Sequence, residues 1–128
     1  MKIAAMVARI LLGLLMVFAG SNHLYAFMPS PPPPPGLAGQ FVTVMTSSHY
    51  LFIVGICEVV PGILLLVNRY IPLALTVLGA VIVNILLTGI LLAPVGIPAG
   101  VVAAILWFVV FWRVRAAFAG IFEARVAA

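Results

Sequence analysis

Four long apolar stretches constrain the fold of this chain more than any other feature. They run approximately over residues 3–27, 50–67, 71–92 and 98–118. A helix of about 20 mostly apolar residues crosses a hydrocarbon layer of roughly 30 Å. Only 6% of the residues are charged, whereas soluble domains need about a quarter. The sequence therefore predicts an all-α integral membrane protein, a four-helix transmembrane bundle that forms one domain over residues 1–128.

The basic residues set the predicted orientation, because short loops rich in Lys and Arg remain in the cytoplasm. With four spans, all six basic residues fall on one side, whereas 28–49 and 93–97 contain no Lys or Arg. Arg9 lies close enough to the start of its stretch to reach the headgroups. We therefore expect both termini in the cytoplasm and residues 28–49 outside. The net charge of +4 then reflects topology and attraction to anionic headgroups, and it gives no reason to expect a nucleic acid partner.

The first stretch has a second interpretation. A basic start, an apolar core and the small residue that ends Val17-Phe18-Ala19 are also typical of a cleavable signal peptide. Removal would leave three spans and would break the one-sided charge pattern. The interpretation as a membrane span is therefore favoured.

The predicted outer loop begins with a proline run. Five successive prolines start at Pro31, and a polyproline segment over residues 29–35 reaches roughly 20 Å at about 3.1 Å per residue. Leu37, Phe41 and Val44 then recur at helical spacing, which predicts a short interfacial helix. The pattern leaves open whether this loop is a lid or a spacer.

Glu58 is the only acidic residue inside an apolar stretch. It lies eight residues from the outer start of the second span, and Asn84 lies eight residues from the outer end of the third, which puts both about 12 Å below the outer surface. An acidic residue at a helix centre costs about 3 kcal/mol unless it is paired. We therefore expect Glu58 and Asn84 to meet, directly or through one water. Polar or aromatic residues expected near the same depth are Asn22, His23, Thr88 and Trp107.

Three residues around Glu58 predict close helix packing. Gly55 and Gly62 lie three residues before and four residues after it, on one helical face, where small residues let a neighbouring helix approach. Pro61 lacks the N–H that would bond the carbonyl of Cys57, which leaves a free acceptor one turn away. These residues describe either a pocket or a tight polar contact.

The residues leave three roles open for this polar site. Glu58 can be a protonated helix clamp that hydrogen-bonds Asn84 or Asn22, part of a site for a small or lipid-like ligand, or a group that handles protons or ions. Two isolated histidines without supporting acids are a weak metal signal, so no metal is expected. Cys57 is the single cysteine, which excludes an internal disulfide and a redox-active cysteine pair.

Four segments give the chain a family resemblance. Together they resemble the DoxX-like family of small bacterial integral membrane proteins, with similarity from about Ala8 to Phe118. The segments are Gly20-Ser21-Asn22-His23, Glu58-Val59-Val60-Pro61-Gly62, Arg69-Tyr70-Ile71-Pro72-Leu73-Ala74-Leu75 and Val81-Ile82-Val83-Asn84-Ile85-Leu86-Leu87. The resemblance implies a compact four-helix bundle in a bacterial cytoplasmic (inner) membrane and the importance of Glu58, Gly62, Asn84 and Asn22.

What the resemblance implies about function is broad. Proteins similar to this family are associated with thiosulfate and quinone oxidoreduction, with oxidoreductase complexes that answer oxidative stress, and with assembly. Members often have a histidine or aromatic residue where this chain has Thr88-Gly89, which weakens a haem, metal or proton-relay role.

The predicted function follows from this inventory. We expect an accessory or ligand-binding component of an oxidoreductase-type membrane complex, with quinone or lipid as the candidate ligand. Membrane lipids and either a protein partner or further copies of the chain are the expected partners. A small proton-coupled transporter and a purely structural subunit are the alternatives. The chain contains no recognisable catalytic set, so we do not expect it to be an enzyme on its own.

Overall fold

The computed structural model describes residues 2–29 and 31–127. Within those residues it is helical without strands, which confirms the all-α class. Two short 3-10 turns, Pro94–Gly96 and Arg115–Phe118, precede and follow the last helix. The five α-helices are α1 (Lys2–Leu24), α2 (Leu37–Ser47), α3 (Tyr50–Leu66), α4 (Ile71–Leu91) and α5 (Ile97–Val114).

Three helical segments are long and apolar enough to cross a membrane. They are α1, α4 and the segment Pro94–Phe118 that contains α5. The 17 residues of α3 fall just short, but α2 and α3 qualify together as one bent pair with a 79° angle between them. The protein is therefore a membrane protein with three or four candidate spans. Residues 25–27, which the sequence placed in the first span, lie beyond the end of α1.

The turn between α3 and α4 is closed by backbone geometry. Asn68 and Tyr70 adopt left-handed conformations, with φ of 57° and 53°. The N–H groups of Asn68 and Arg69 donate to the carbonyls of Leu65 and Leu64, at 3.2 Å and 3.0 Å. This pattern ends a helix and satisfies its last carbonyls. Because only four residues separate the helices, α4 runs back alongside α3.

The helix contacts form a closed cycle. α1 packs against α3 and α5, and α4 packs against the same two helices. The α1–α3 contact is the most extensive, and α2 contacts α3. Fully buried leucines from three helices meet in the core, namely Leu12, Leu65, Leu75 and Leu78. This packing places the side chains of α1 and α3 against each other along most of their length.

The segment before α2 folds back onto that helix. A methyl group added to Gly39 would lie 1.8 Å from the carbonyl oxygen of Pro34, so the proline run touches the first turn of α2 at a position where only glycine fits. α2 itself lies where the spacing of Leu37, Phe41 and Val44 predicts a short helix.

Candidate functional site

The buried polar site is a contact between α1 and α3. Glu58 in the middle of α3 is 1% exposed and is the only charged residue buried among the described residues. Its Oε2 atom lies 3.0 Å from Nδ1 of His23, which is in the last turn of α1. The His23 side chain is 29% exposed, although its Nδ1 atom is buried. The imidazole therefore extends from the buried carboxyl group to the surface of the helix pair.

The two atoms are close without forming a straight hydrogen bond. Their separation of 3.0 Å is a normal hydrogen-bonding distance, yet neither buried atom has an aligned partner. The contact is thus one of proximity in this rotamer. Because the second side-chain torsion of histidine is broad, a small rotation of the ring would direct Nδ1–H at the carboxyl oxygen.

Reciprocal glycines bring the two backbones together at the same level. A methyl group on Gly20 would lie 2.7 Å from the carbonyl oxygen of Gly55 and 2.9 Å from Cβ of Glu58. A methyl group on Gly55 would lie 2.8 Å from the carbonyl oxygen of Gly20. Real side chains do not approach so closely, so both positions require glycine. The predicted packing position Gly55 therefore lies directly beside the polar pair.

A second reciprocal contact lies two turns away. A methyl group on Gly62 would be 3.0 Å from the carbonyl oxygen of Gly13, and Pro61 is buried beside it. Gly13 and Gly20, like Gly55 and Gly62, are seven residues apart. Small residues repeated along one face allow close helix contact in a membrane. The predicted packing residues of α3 all lie in or beside this face.

Arg9 binds the C-terminal end of α3, on the far side of the second glycine contact from Glu58. Its guanidinium donates to the carbonyl of Leu65 and, at 3.4 Å, to that of Leu66. These carbonyls belong to the last turn of α3, where the helix dipole favours a cation. Arg9 thus binds the end of α3 from α1, whereas the sequence placed it toward the headgroups.

Asn84 does not join this site directly. It is exposed, and its side-chain amide donates to the carbonyl of Ala80 at 2.9 Å. The direct contact with Glu58 expected from depth is therefore not formed. Counting from outer ends gave equal depths, but α4 has 21 residues and α3 has 17. Counted from their shared turn, Asn84 is five residues further along its helix than Glu58, which is about 7 Å at the rise of an α-helix.

Asn22 and Thr88 make local bonds instead of facing Glu58. The side-chain oxygen of Asn22 accepts a hydrogen bond from the N–H of Met28 at 3.0 Å, which ties down the chain after α1. The hydroxyl of Thr88 donates to the carbonyl of Ile85 at 3.0 Å. Both residues satisfy backbone groups near the ends of their helices.

Trp107 belongs to a different part of the molecule. Its indole N–H donates to the carbonyl of Leu75 at 2.8 Å, in the second turn of α4. Across the same pair of helices, Gly100 faces Ile85 and Leu86. The part of α5 at the same depth as Asn84 is therefore near Gly100. The sequence prediction that placed Trp107 at that depth is wrong. It counted inward from the start of the last span as if that start were level with the end of the third, whereas Ile97 at the start of α5 lies beside Gly89.

A signal in the sequence could have identified the true partner of Glu58. Gly20 precedes His23 by three residues, just as Gly55 precedes Glu58 by three residues. Positions three residues apart share a helix face, so two facing glycines bring the two following side chains together. The prediction named all four residues but paired Glu58 with Asn84 or Asn22, because it compared depths and did not consider which faces meet.

The chemistry available at this site is limited to one acid and one imidazole. They can share or exchange a proton and can hold two helices together. Within residues 2–29 and 31–127, no group of three or more His, Cys, Asp or Glu side chains is arranged to hold a metal ion. Cys57, next to Glu58, is a half-buried free thiol.

The fold and this site define the class of protein. It is a membrane protein built from several long apolar helices with a buried polar contact. The model of the DoxX family matches residues 4–90, more than half of the chain, and the chain belongs to the DoxX family. The match covers α1 to α4 and stops before α5, whereas the resemblance noted in the sequence extends to Phe118. Neither curated proteins nor solved structures include a match to this chain.

Proposed function

We propose that this DoxX-family chain is an accessory component of a membrane complex, of the oxidoreductase type, in which Glu58 and His23 lock α1 to α3. The observation that carries the proposal is the burial of Glu58 at a crossing too tight to admit a methyl group. A ligand headgroup cannot enter between backbones that approach so closely. The pair therefore acts as a helix clamp, and the quinone or lipid role at Glu58 is the alternative.

The proposed setting is a four-helix transmembrane bundle in a bacterial inner membrane, with both termini in the cytoplasm. The closed cycle of helix contacts supports one bundle. The 17 residues of α3 span about 25 Å, close to the thickness of the hydrocarbon layer. The one-sided distribution of Lys and Arg supports the orientation.

Cysteine labelling tests the orientation. The variants carry Cys57→Ala with either Thr43→Cys on α2 or Ala119→Cys after α5, two exposed positions. A membrane-impermeant maleimide applied to intact cells should label position 43 and not position 119. Labelling at 119 but not at 43 would show that the orientation is inverted, and labelling of both after cell lysis is the control for reactivity.

The accessory role rests on the surface of the bundle. α5 exposes Val102, Ile105, Phe108 and Trp112, a face suited to lipid or to an apolar partner helix. The clamp leaves this face free because it acts on α1 and α3. Partner chains, or further copies of this chain, are proposed to pack there.

A double-mutant cycle tests the clamp. Glu58→Gln, His23→Gln and the double variant are compared with wild type by thermal unfolding in mild detergent and by the rate at which Cys57 reacts with a thiol dye. In a clamp, each single change accelerates labelling and lowers the unfolding temperature, and the second change adds little to the first. Additive effects would mean that the two residues act separately.

Lipid extraction separates the clamp from the ligand site. Native mass spectrometry of the wild type and of Glu58→Gln, released from membranes in mild detergent, should give the same bound molecules if Glu58 is a clamp. A lipophile lost in Glu58→Gln, with Cys57 labelling unchanged, would assign Glu58 to a ligand site. Asn84→Ala is the matched control, because Asn84 is polar and intramembrane but lies outside the contact.

A further inference from the structure

A groove between α4 and α5 lies away from the Glu58 site. It has a volume of about 320 Å³, at the lower end of the range for ligand pockets. On the α4 side the groove is lined by Gly79, which has no side chain. On the α5 side it is lined by Trp107 and Phe111. Phe118 and Phe122, which follow α5, line the groove as well. The chain after α5 thus forms a third wall.

The polar groups along this groove already have partners within the protein. The indole N–H of Trp107 donates to Leu75 at 2.8 Å, and the hydroxyl of Thr76 donates to the carbonyl of Pro72 at 2.8 Å. Trp107 and Phe111 stack at 5.1 Å with 8° between their rings, which presents a flat aromatic surface. Such a groove fits a hydrocarbon chain better than a polar ring that needs hydrogen-bond donors.

Arg115 lies where α5 joins the segment that forms the third wall of the groove. Arg115 follows Phe111 by four residues and precedes Phe118 by three. Its guanidinium lies 4.6 Å from the centre of the Trp112 ring and donates to the carbonyl of Trp112 at 2.5 Å. Among the described residues, neither Arg113 nor Arg115 is paired with a carboxylate side chain. The segment 113–127 carries three arginines and one acid.

We propose that the α4–α5 groove binds an anionic phospholipid, with one acyl chain against Trp107 and Phe111 and the phosphate beside Arg115. Basic residues near the ends of membrane helices attract anionic headgroups. An acyl chain in the groove would keep the phosphate near Arg115, so lipid charge and groove shape act together. The site does not depend on the clamp proposed for Glu58.

Native mass spectrometry of the full chain in mild detergent tests the charge requirement. Phosphatidylglycerol and phosphatidylcholine with identical acyl chains are added in turn. Phosphatidylglycerol should bind more tightly, and Arg115→Gln should weaken its binding about fivefold, the effect of one basic residue near a lipid surface. Lys2→Gln, which removes one charge at the start of α1, should leave binding unchanged. Equal binding of both lipids, or equal effects of the two variants, would overturn the proposal.

Filling the groove tests its shape requirement. Gly79→Leu places a side chain against Trp107, which is 3.5 Å from the position of the first added carbon, and it should abolish phosphatidylglycerol binding. Gly96→Leu is the matched control, since no atom lies within 4 Å of an added Cβ there. Binding that survives Gly79→Leu in a folded protein would place the lipid elsewhere. If Gly79→Leu instead removes a dimer signal and leaves lipid binding intact, a second copy occupies the groove and the proposal is wrong.

A spectroscopic measurement covers the case in which Gly79→Leu fails to fold. Brominated acyl chains quench indole fluorescence, so brominated phosphatidylglycerol in phosphatidylcholine vesicles should quench wild type more than brominated phosphatidylcholine in phosphatidylglycerol vesicles does. Trp112→Phe, in which Trp107 is the only tryptophan, should keep the excess quenching. This variant is needed because Trp112 contacts Arg115 and would itself be quenched by a lipid bound there. Equal quenching by both lipids would contradict a specific site at Trp107.

Discussion

The α1–α3 contact and the α4–α5 contact use glycine in different ways. At the α1–α3 crossing, Gly20 and Gly55 each face the carbonyl oxygen of the other. In the α4–α5 contact, Gly79 faces the ring of Trp107 and Gly100 faces the side chain of Leu86. The first arrangement joins two backbones, and the second lets a side chain of one helix fill the space beside another.

This difference explains where the polar site and the groove lie. Two backbones in contact leave little room, so the side chains beside them, His23 and Glu58, are held against each other, and the Glu58 carboxyl group is buried away from lipid. A contact of a large side chain with a glycine leaves space beside the ring, and both Gly79 and Trp107 line the groove. The α4–α5 pair therefore retains an open groove, whereas the crossing of α1 and α3 is closed at Glu58.

Removing the carboxyl group of Glu58 from the α1–α3 contact should have the largest effect on stability. We expect Glu58→Ala to lower the free energy of unfolding by about 2–4 kcal/mol, because it leaves a cavity and an unpaired buried Nδ1 atom on His23. Denaturation by SDS in mixed micelles measures the change. The matched control, Asn84→Ala, should alter stability by less than about 0.5 kcal/mol, since this residue is exposed and bonds within its own helix. Equal losses in the two variants would show that buried Glu58 contributes no more to stability than exposed Asn84.

Adding a methyl group at Gly20 and at Gly79 should change stability by different amounts. Gly20→Ala would bring Cβ to 2.7 Å from a backbone oxygen, so we expect a loss of about 1–3 kcal/mol from overpacking. Gly79→Ala would bring Cβ to an ordinary 3.5 Å from Trp107, and the better helix propensity of alanine should offset any loss to within about 1 kcal/mol. The same SDS denaturation decides between them. A tolerated Gly20→Ala would show that the two backbones can separate at little cost.

The smallest expected effect is on the α4–α5 side. Trp107→Phe removes the donor to Leu75 and should cost about 0.6 kcal/mol, the average for hydrogen bonds between membrane helices. Trp112→Phe is the control, because Trp112 is exposed and not part of the groove. A loss of stability from Trp107→Phe as large as that from Glu58→Ala would mean that these two residues contribute equally to their helix contacts.

Much of the fold could be predicted from the sequence because membrane helices are long and continuous. The apolar stretch over residues 50–67 corresponds closely to α3, and that over 71–92 to α4. The end of α1 was placed three residues too late, since Tyr25, Ala26 and Phe27 are apolar but lie outside the helix. Hydropathy measures preference for lipid, and it does not locate the residue at which a helix ends.

The residues of the site could be predicted from the sequence, but which of them pair with each other could not. A buried glutamate in an apolar stretch must find a polar neighbour, and Glu58 and His23 were both named for that reason. Depth alone could not choose between His23 and Asn84, because it ignores which way each helix is turned. Helices of unequal length also made two residues at equal distances from the outer ends lie at different levels.

The sequence by itself determined that this chain is helical, enters the membrane, belongs to the DoxX family and carries one buried acid. Those properties follow from the length and composition of continuous stretches and from local motifs. Only the tertiary structure decided that Glu58 meets His23, that Arg9 binds the end of α3, and that Trp107 lines a groove that includes neither contact. These contacts depend on the rotation and relative shift of whole helices, which are fixed where glycines allow backbones to touch and are not encoded in any single stretch.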